Sequence, residues 1–320
     1  MPPRRLLYSL SERGLALHGV DTSSGALERL PVALPDFIFD EDHRLNRLVA
    51  DPRGRYLFAL TGERIYAYEV HGTDGHLQPA PGSPFKLRPF DTIDMAIDRD
   101  GDTAYVVTGI GSLMPFAIGP HGTLTEGVDY CVANGDSVAV DPLGRFVFES
   151  ERLRYSGYDH PYSLNVLEPA SKGLTWLHSA RALGDSIAAV DPKGRFLYSG
   201  GLFSDSNGVE QLRAFQIQPT GELAAAPRSP FSFSVRGKVD AWAIDPTGQF
   251  LYSSAGASAW IDPDDGSLYP MTGPYRRGPL FDSGALAWRP RPIIIDLQGH
   301  LYVGDSGASR RSPSTGPPAV

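Results

Sequence analysis

Four aspartates, Asp94, Asp136, Asp185 and Asp240, each stand just before or at the start of a short apolar run. Arg47, His43, Arg289 and Arg291 stand near the starts of two further runs. A carboxylate among like charges has its pKa raised and becomes a better base for water, while an arginine grips a carboxylate, a phosphate or a developing oxyanion. On that chemistry Asp136 and Asp185 are the candidate bases and Arg291 is the candidate catalytic cation. Arg47, His43, Asp94, Asp240 and Arg289 are candidate ligand-binding residues beside them. A second concentration lies between Glu149 and Tyr162, where Arg152, Tyr158 and His160 share one connection with further Arg and Tyr residues. Arginine with aromatic residues is the composition of recognition surfaces, so these three join the candidate binding set. The competing account is that the acids and cations simply pair with one another at a solvated rim.

Other constellations carry less. Gly-Asp-Ser occurs at 135–137, 184–186 and 304–306, and a serine nucleophile is single with a positioned base, so repetition explains it better. Ser83-Pro-Phe-Lys86 has the Ser-x-x-Lys spacing but lies in a Pro-rich connector rather than at a helix start. Asp262-Pro-Asp-Asp-Gly266 occupies a turn. The one cysteine, Cys131, excludes an internal disulfide framework and a cysteine-built zinc site. The eight histidines show no metal-ligand spacing, and no phosphate-binding glycine loop is present. No metal and no cofactor are expected.

The elements that must position these residues follow from a repeat. Val49-Ala-Asp-Pro-Arg-Gly-Arg-Tyr-Leu-Phe58 returns around Gly101, Gly144, Gly194, Gly248 and Gly299, at spacings of 47, 43, 50, 54 and 51 residues. A Gly-Leu marker runs in step at Gly25, Gly75, Gly122, Gly173, Gly221 and Gly266. Pro-Gly-Ser-Pro-Phe at 81–85 returns as Pro-Arg-Ser-Pro-Phe at 227–231. Each unit predicts four short strands: an apolar run ending in Asp, a tight Asp-Pro-x-Gly turn, an alternating aromatic strand, a third strand after a variable loop, and a fourth at the Gly-Leu marker. Four antiparallel strands per 45–50 residues is the size of one propeller blade. The fold class expected is therefore all-β, a propeller of YVTN/WD40-like repeats. Seven aromatic strands favour seven blades, the first and last incomplete, with a six-bladed ring served by 293–296 as the alternative. Residues 1–304 form a single domain in this reading, and 305–320, rich in Ser, Pro and Gly, a disordered tail.

The combination of Asp-Pro-x-Gly-Arg-Phe-x-Tyr, the Gly-Leu turn and Pro-Gly-Ser-Pro-Phe resembles the β-propeller lactonase family, which includes 6-phosphogluconolactonases and carboxymuconate cycloisomerase-like enzymes. The likeness covers about residues 4–304. It implies a lactone hydrolase or cycloisomerase with its site at the channel mouth. It also implies a His at the start of the fourth inner strand, an Arg at the fifth, a Glu after the fifth aromatic strand and an Arg at the seventh. Here those places hold Asp136, Ser186, Ser199-Gly-Gly-Leu202 and Arg289-Pro-Arg291. One of the four agrees.

Two functions stay open on these residues. One is a lactonase-family propeller that binds, and hydrolyses, a small polar or anionic compound such as a sugar lactone or carboxylate. The other is a non-catalytic scaffold that offers its long loops to a protein or carbohydrate. A formal net charge of −8 argues against nucleic acid or an anionic membrane as partner. No apolar run approaches the roughly 18 residues of a membrane span. A monomer is expected, unless the open edge of an incomplete blade pairs. Without a sustained apolar leader the expected compartment is the cytoplasm, or outside the cell if the N-terminus is trimmed.

Overall fold

The structure is a computed structural model. It describes residues 5–11, 14–21, 26–31, 45–72, 74–87, 92–109, 111–128, 130–131, 135–152, 162–170, 173–182, 186–200, 209–235, 239, 241–271, 281–282, 293–295 and 301–305. Asp-Pro-x-Gly turns the chain as their residue types require. Gly54, Gly144, Gly194 and Gly248 each take a left-handed φ between 65° and 75°, and each donates its N–H back to the carbonyl of the turn's Asp. Because the turn is tight, the strands on either side pair antiparallel. Gly135–Val140 runs against Val147–Arg152, and Ser186–Val190 against Phe196–Gly200. The third and fourth strands follow in chain order, giving small all-antiparallel sheets.

Six inner strands lie side by side in succession: Leu45–Ala50, Thr92–Ile97, Gly135–Val140, Ser186–Val190, Trp242–Ile244 and Ile293–Ile295. They define six blades, I to VI in chain order, of a β-propeller. The expectation of seven is corrected. Seven aromatic strands exist, but a blade is defined by the strand that faces the axis. The N-terminal sheet, Arg5–Ser11, Gly14–Val20 and Leu27–Arg29, has none among the described residues. Blade VI departs from the pattern too, since Phe281–Asp282 joins Leu301–Asp305 in parallel. In blade IV the third strand starts at Val209. Asp305 closes the last strand; residues 306–320 lie outside the described set.

Aromatic residues of the second strands fill the seams between blades. Phe58, Tyr105, Phe148 and Tyr198 are buried, while the equivalent Tyr252 is only half-buried. Tyr302 lies outside the residues whose side chains are described. The Gly-Leu marker acquires a reason across the seam. A Cβ on Gly266 would come within 2.6 Å of Phe196 in the preceding blade, so only glycine lets the blades approach. The Asp-Pro-x-Gly-Arg repeat acquires one as well. Arg145 donates through Nε to Asp141 at 2.6 Å and through Nη2 to the carbonyl of Gly194, in the next blade's turn, at 2.6 Å. Arg55 and Arg195 repeat this reach to Gly101 and Gly248. The repeated arginines are therefore clasps between blades on the turn face.

Candidate functional site

At the other end of the inner strands the blades stop being alike. Asp94, buried on blade II, is paired with the half-exposed Arg47 of blade I. Its carboxylate also accepts the N–H of Met95 at 2.7 Å and that of Val138, in blade III, at 3.0 Å. One aspartate thus ties three blades. The next seam uses a neutral group, with Ile187 N–H donating to Ser137 Oγ at 3.0 Å. Asp94 spends its oxygens on the fold, and Arg47 is held with it.

Asp136 sits where the pairing of Gly135–Val140 with Val147–Arg152 skips a residue. Such a bulge re-aims a side chain. It is half-buried, at the opposite end of its strand from the Asp141 turn. Directly across the strand pair stand Glu149, opposite Val138, and Glu151, opposite Gly135. Glu149 is fully buried and Glu151 is 9% exposed. Asn165, on the neighbouring strand Tyr162–Ala170, donates through Nδ2 to Glu149 Oε2 at 2.8 Å and to Glu151 Oε2 at 3.1 Å. Its own carbonyl oxygen accepts the Ser179 hydroxyl at 2.6 Å, which fixes the amide's orientation. Ser179 in turn accepts from Trp176 Nε1 at 3.1 Å.

Glu149 has a second oxygen, Oε1, that is buried and has no hydrogen-bond partner among the described residues. It lies against Gly135, where any Cβ would overlap it and also crowd Val107 of blade II. Burial pushes the Glu149 pKa up to about 8; the Asn165 hydrogen bond opposes this, and the charges of Glu151 and Asp136 reinforce it. At neutral pH the carboxyl is then protonated. With Oε2 committed as an acceptor, the proton belongs on Oε1. The arrangement can donate a hydrogen bond or a proton to a negatively charged oxygen, and above its pKa it can accept a proton.

Among the described residues Glu149 is thus a carboxyl whose chemistry the fold alters strongly, and it is not a candidate picked from the sequence. Asp94, Arg47 and Asp136 are gathered around the starts of neighbouring inner strands. Arg152 ends its strand opposite Tyr162. His43, Tyr158, His160, Asp185, Asp240, Arg289 and Arg291 lie outside the described residues. Glu149, Glu151 and Asn165 were missed, although a signal existed. Five residues beyond the turn glycine the repeats carry Ala59, Val106, Glu149, Ser199 and Ser253, so one ionisable residue breaks an otherwise small or apolar column. Among the described residues no three His, Cys, Asp or Glu side chains converge as metal ligands.

No protein-family profile and no curated protein matches the sequence. Solved structures do. One is named as a 6-phosphogluconolactonase from Bacteroides uniformis. It is 14% identical with a TM-score of 0.53, covering 83% of this chain and 94% of that one. Another, a protein of unknown function from Desulfotomaculum acetoxidans, is 9% identical with a TM-score of 0.60, covering 84% of this chain and 79% of that one. At such identities the shared property is the fold: this chain is a β-propeller of the kind found among proteins named as lactonases, in keeping with the family its repeats resemble.

Proposed function

We propose that the protein is a lactonase-like propeller that binds a small polar compound of the sugar-lactone or hydroxycarboxylate class on the face where the inner strands begin. The observation that supports this is Glu149, a fully buried carboxyl with one unpartnered oxygen in a notch that only glycine leaves open. Opening a lactone places negative charge on the carbonyl oxygen, and a neutral carboxyl in a dry site stabilises such charge far better than a solvated one does. Asp136, on its bulge, is the second carboxylate of the site and serves as the base for water. Arg289 and Arg291 are proposed to hold the anionic end of the ligand, as in the resemblance.

The test is a melting series with glucono-1,5-lactone and gluconate, followed by base-consumption assays of lactone hydrolysis. A ligand that binds only the folded state raises the melting temperature. Glu149→Gln and Asp136→Asn are expected to reduce hydrolysis at least tenfold, while 6-phosphogluconolactone is expected to be turned over at or near background. No shift with either ligand, or hydrolysis unchanged in both variants, would overturn the reading. Efficient turnover of 6-phosphogluconolactone abolished by Arg291→Ala would instead put the substrate in the phosphorylated class. A second reading, a non-catalytic scaffold for a protein or carbohydrate, is favoured by the exposed aromatic side chains of Trp176, Trp260 and Tyr269 on outer strands.

A further inference from the structure

The face of blade III that carries Glu149 continues outward beyond it. Residues directly opposite one another in an antiparallel sheet share a face, and two such rows cross this sheet. One is Glu149, Asn165 and Ser179, already joined by hydrogen bonds. The other is Glu151, Ser163 and Arg181, each opposite the next. Glu149 and Glu151 are two residues apart on one strand, so both rows lie on the same face. Exposure rises along the second row: Glu151 is nearly buried, Ser163 half-buried and Arg181 exposed. The face is closed at its inner end, around the glutamates, and open at its outer end, at Arg181. Arg181 stands two strand spacings, about 10 Å, from Glu151. Among the described residues no carboxylate comes within ion-pair distance of its guanidinium, whereas Arg47, Arg55, Arg145 and Arg195 each have one. Its main chain is anchored from blade IV, where Arg213 donates through Nη1 to its carbonyl oxygen at 2.8 Å.

The second row therefore offers an acceptor, a hydroxyl and a cation in that order. Glu151 can accept from ligand hydroxyl groups, Ser163 can donate or accept, and Arg181 can take a carboxylate on its planar fork. A negative group at the inner end would meet Glu151 and Asp136, so charge is admitted only at the outer end. One guanidinium balances the single charge of a carboxylate, while a phosphate would bring a larger charge to a face that already carries Glu151. We propose that Arg181 sets the specificity of the Glu149 site, selecting a sugar lactone that bears a carboxylate at the end remote from its lactone carbonyl. This rests on the lactone reading and deepens it by naming the substrate's second functional group. The lactone carbonyl lies at Glu149, the hydroxylated body runs over Glu151 and Ser163, and the carboxylate meets the guanidinium at the rim. Arg181 thus joins Arg289 and Arg291 as a cation for the ligand's anionic end, and its place on the Glu149 face follows from strand register.

D-Glucono-1,4-lactone and D-glucaro-1,4-lactone differ only at carbon 6, which is a hydroxymethyl group in one and a carboxylate in the other. Melting-temperature titrations of the full chain with each lactone test the proposal. The glucarolactone is expected to bind at least tenfold more tightly, the worth of one charge-assisted contact. Arg181→Gln should bring the two lactones to parity, and Glu149→Gln should act on both alike. Should Arg181→Gln fail to fold, Arg181→Lys keeps the charge but not the planar fork, and is expected to reduce the preference. Equal binding of the two lactones by the parent, or a preference undiminished by substitution of Arg181, would overturn this assignment and leave the lactone site standing. Binding of neither lactone would overturn both.

Discussion

The two faces of this propeller use charge in opposite ways. On the turn face Asp51–Arg55, Asp141–Arg145 and Asp191–Arg195 are copies of one device. Each joins a fully or nearly buried carboxylate to an arginine that stacks on the following aromatic ring and reaches the next blade's turn. On the opposite face the described residues differ from blade to blade. Asp94 ties three blades, Ser137 ties two, and Glu149 of blade III stands protonated and half-satisfied. The contrast teaches that in a repeat protein a charged residue recurring with the repeat serves assembly, whereas one that interrupts the repeat is where specific chemistry should be sought.

The largest expected effect tests the common core that both faces share. Phe148→Ala removes a fully buried ring and should cost about 3–5 kcal/mol in denaturant unfolding; a loss under about 1 kcal/mol would mean the seam collapses to fill the space. Next comes the clasp. Asp141→Ala leaves Arg145 without its carboxylate and should cost about 2–3 kcal/mol, a buried-pair loss discounted for the partly exposed arginine. Asp191→Ala should match it, since the two devices are copies. A large difference between them would break the contrast between the two faces. Gly135→Ala forces a methyl into Glu149 and should cost about 1–3 kcal/mol through overpacking. The equivalent substitution at Gly54, on the turn face, meets no atom within 4 Å, and its cost arises from the left-handed φ of 70° alone.

The sharpest effect depends on pH. Glu149 is held neutral in the folded protein with a pKa of about 8, while its ordinary value is 4.5. Below 4.5 both folded and unfolded chains carry the proton and there is no penalty. As pH rises from 4.5 towards 8 the unfolded chain releases the proton and the folded chain keeps it. Stability is therefore lost across that window, by on the order of 1 kcal/mol per pH unit at most. Glu149→Gln has no proton to lose. The difference in unfolding free energy between variant and parent should grow in the variant's favour from pH 5 to pH 8. A constant difference would show that Glu149 ionises normally.

Much of the fold was legible in the sequence, because Asp-Pro-x-Gly and the Gly-Leu marker act through local backbone conformation, which residue type alone determines. Strand order, turn positions and the burial of Phe58, Tyr105, Phe148 and Tyr198 follow from it. The number of blades did not, since it depends on which strands reach the axis. At the proposed site, the sequence pointed to aspartates beside inner strands, and one of them, Asp136, lies in the strand pair that carries Glu149. It passed over Glu149, whose significance comes from contact with Asn165 and Gly135, residues 16 and 14 positions away. A residue's type states what it is able to ionise or donate. Whether it is dry, crowded or left with one oxygen unpaired is decided only when distant strands close around it, because desolvation and Coulomb interaction depend on distance in space and not along the chain.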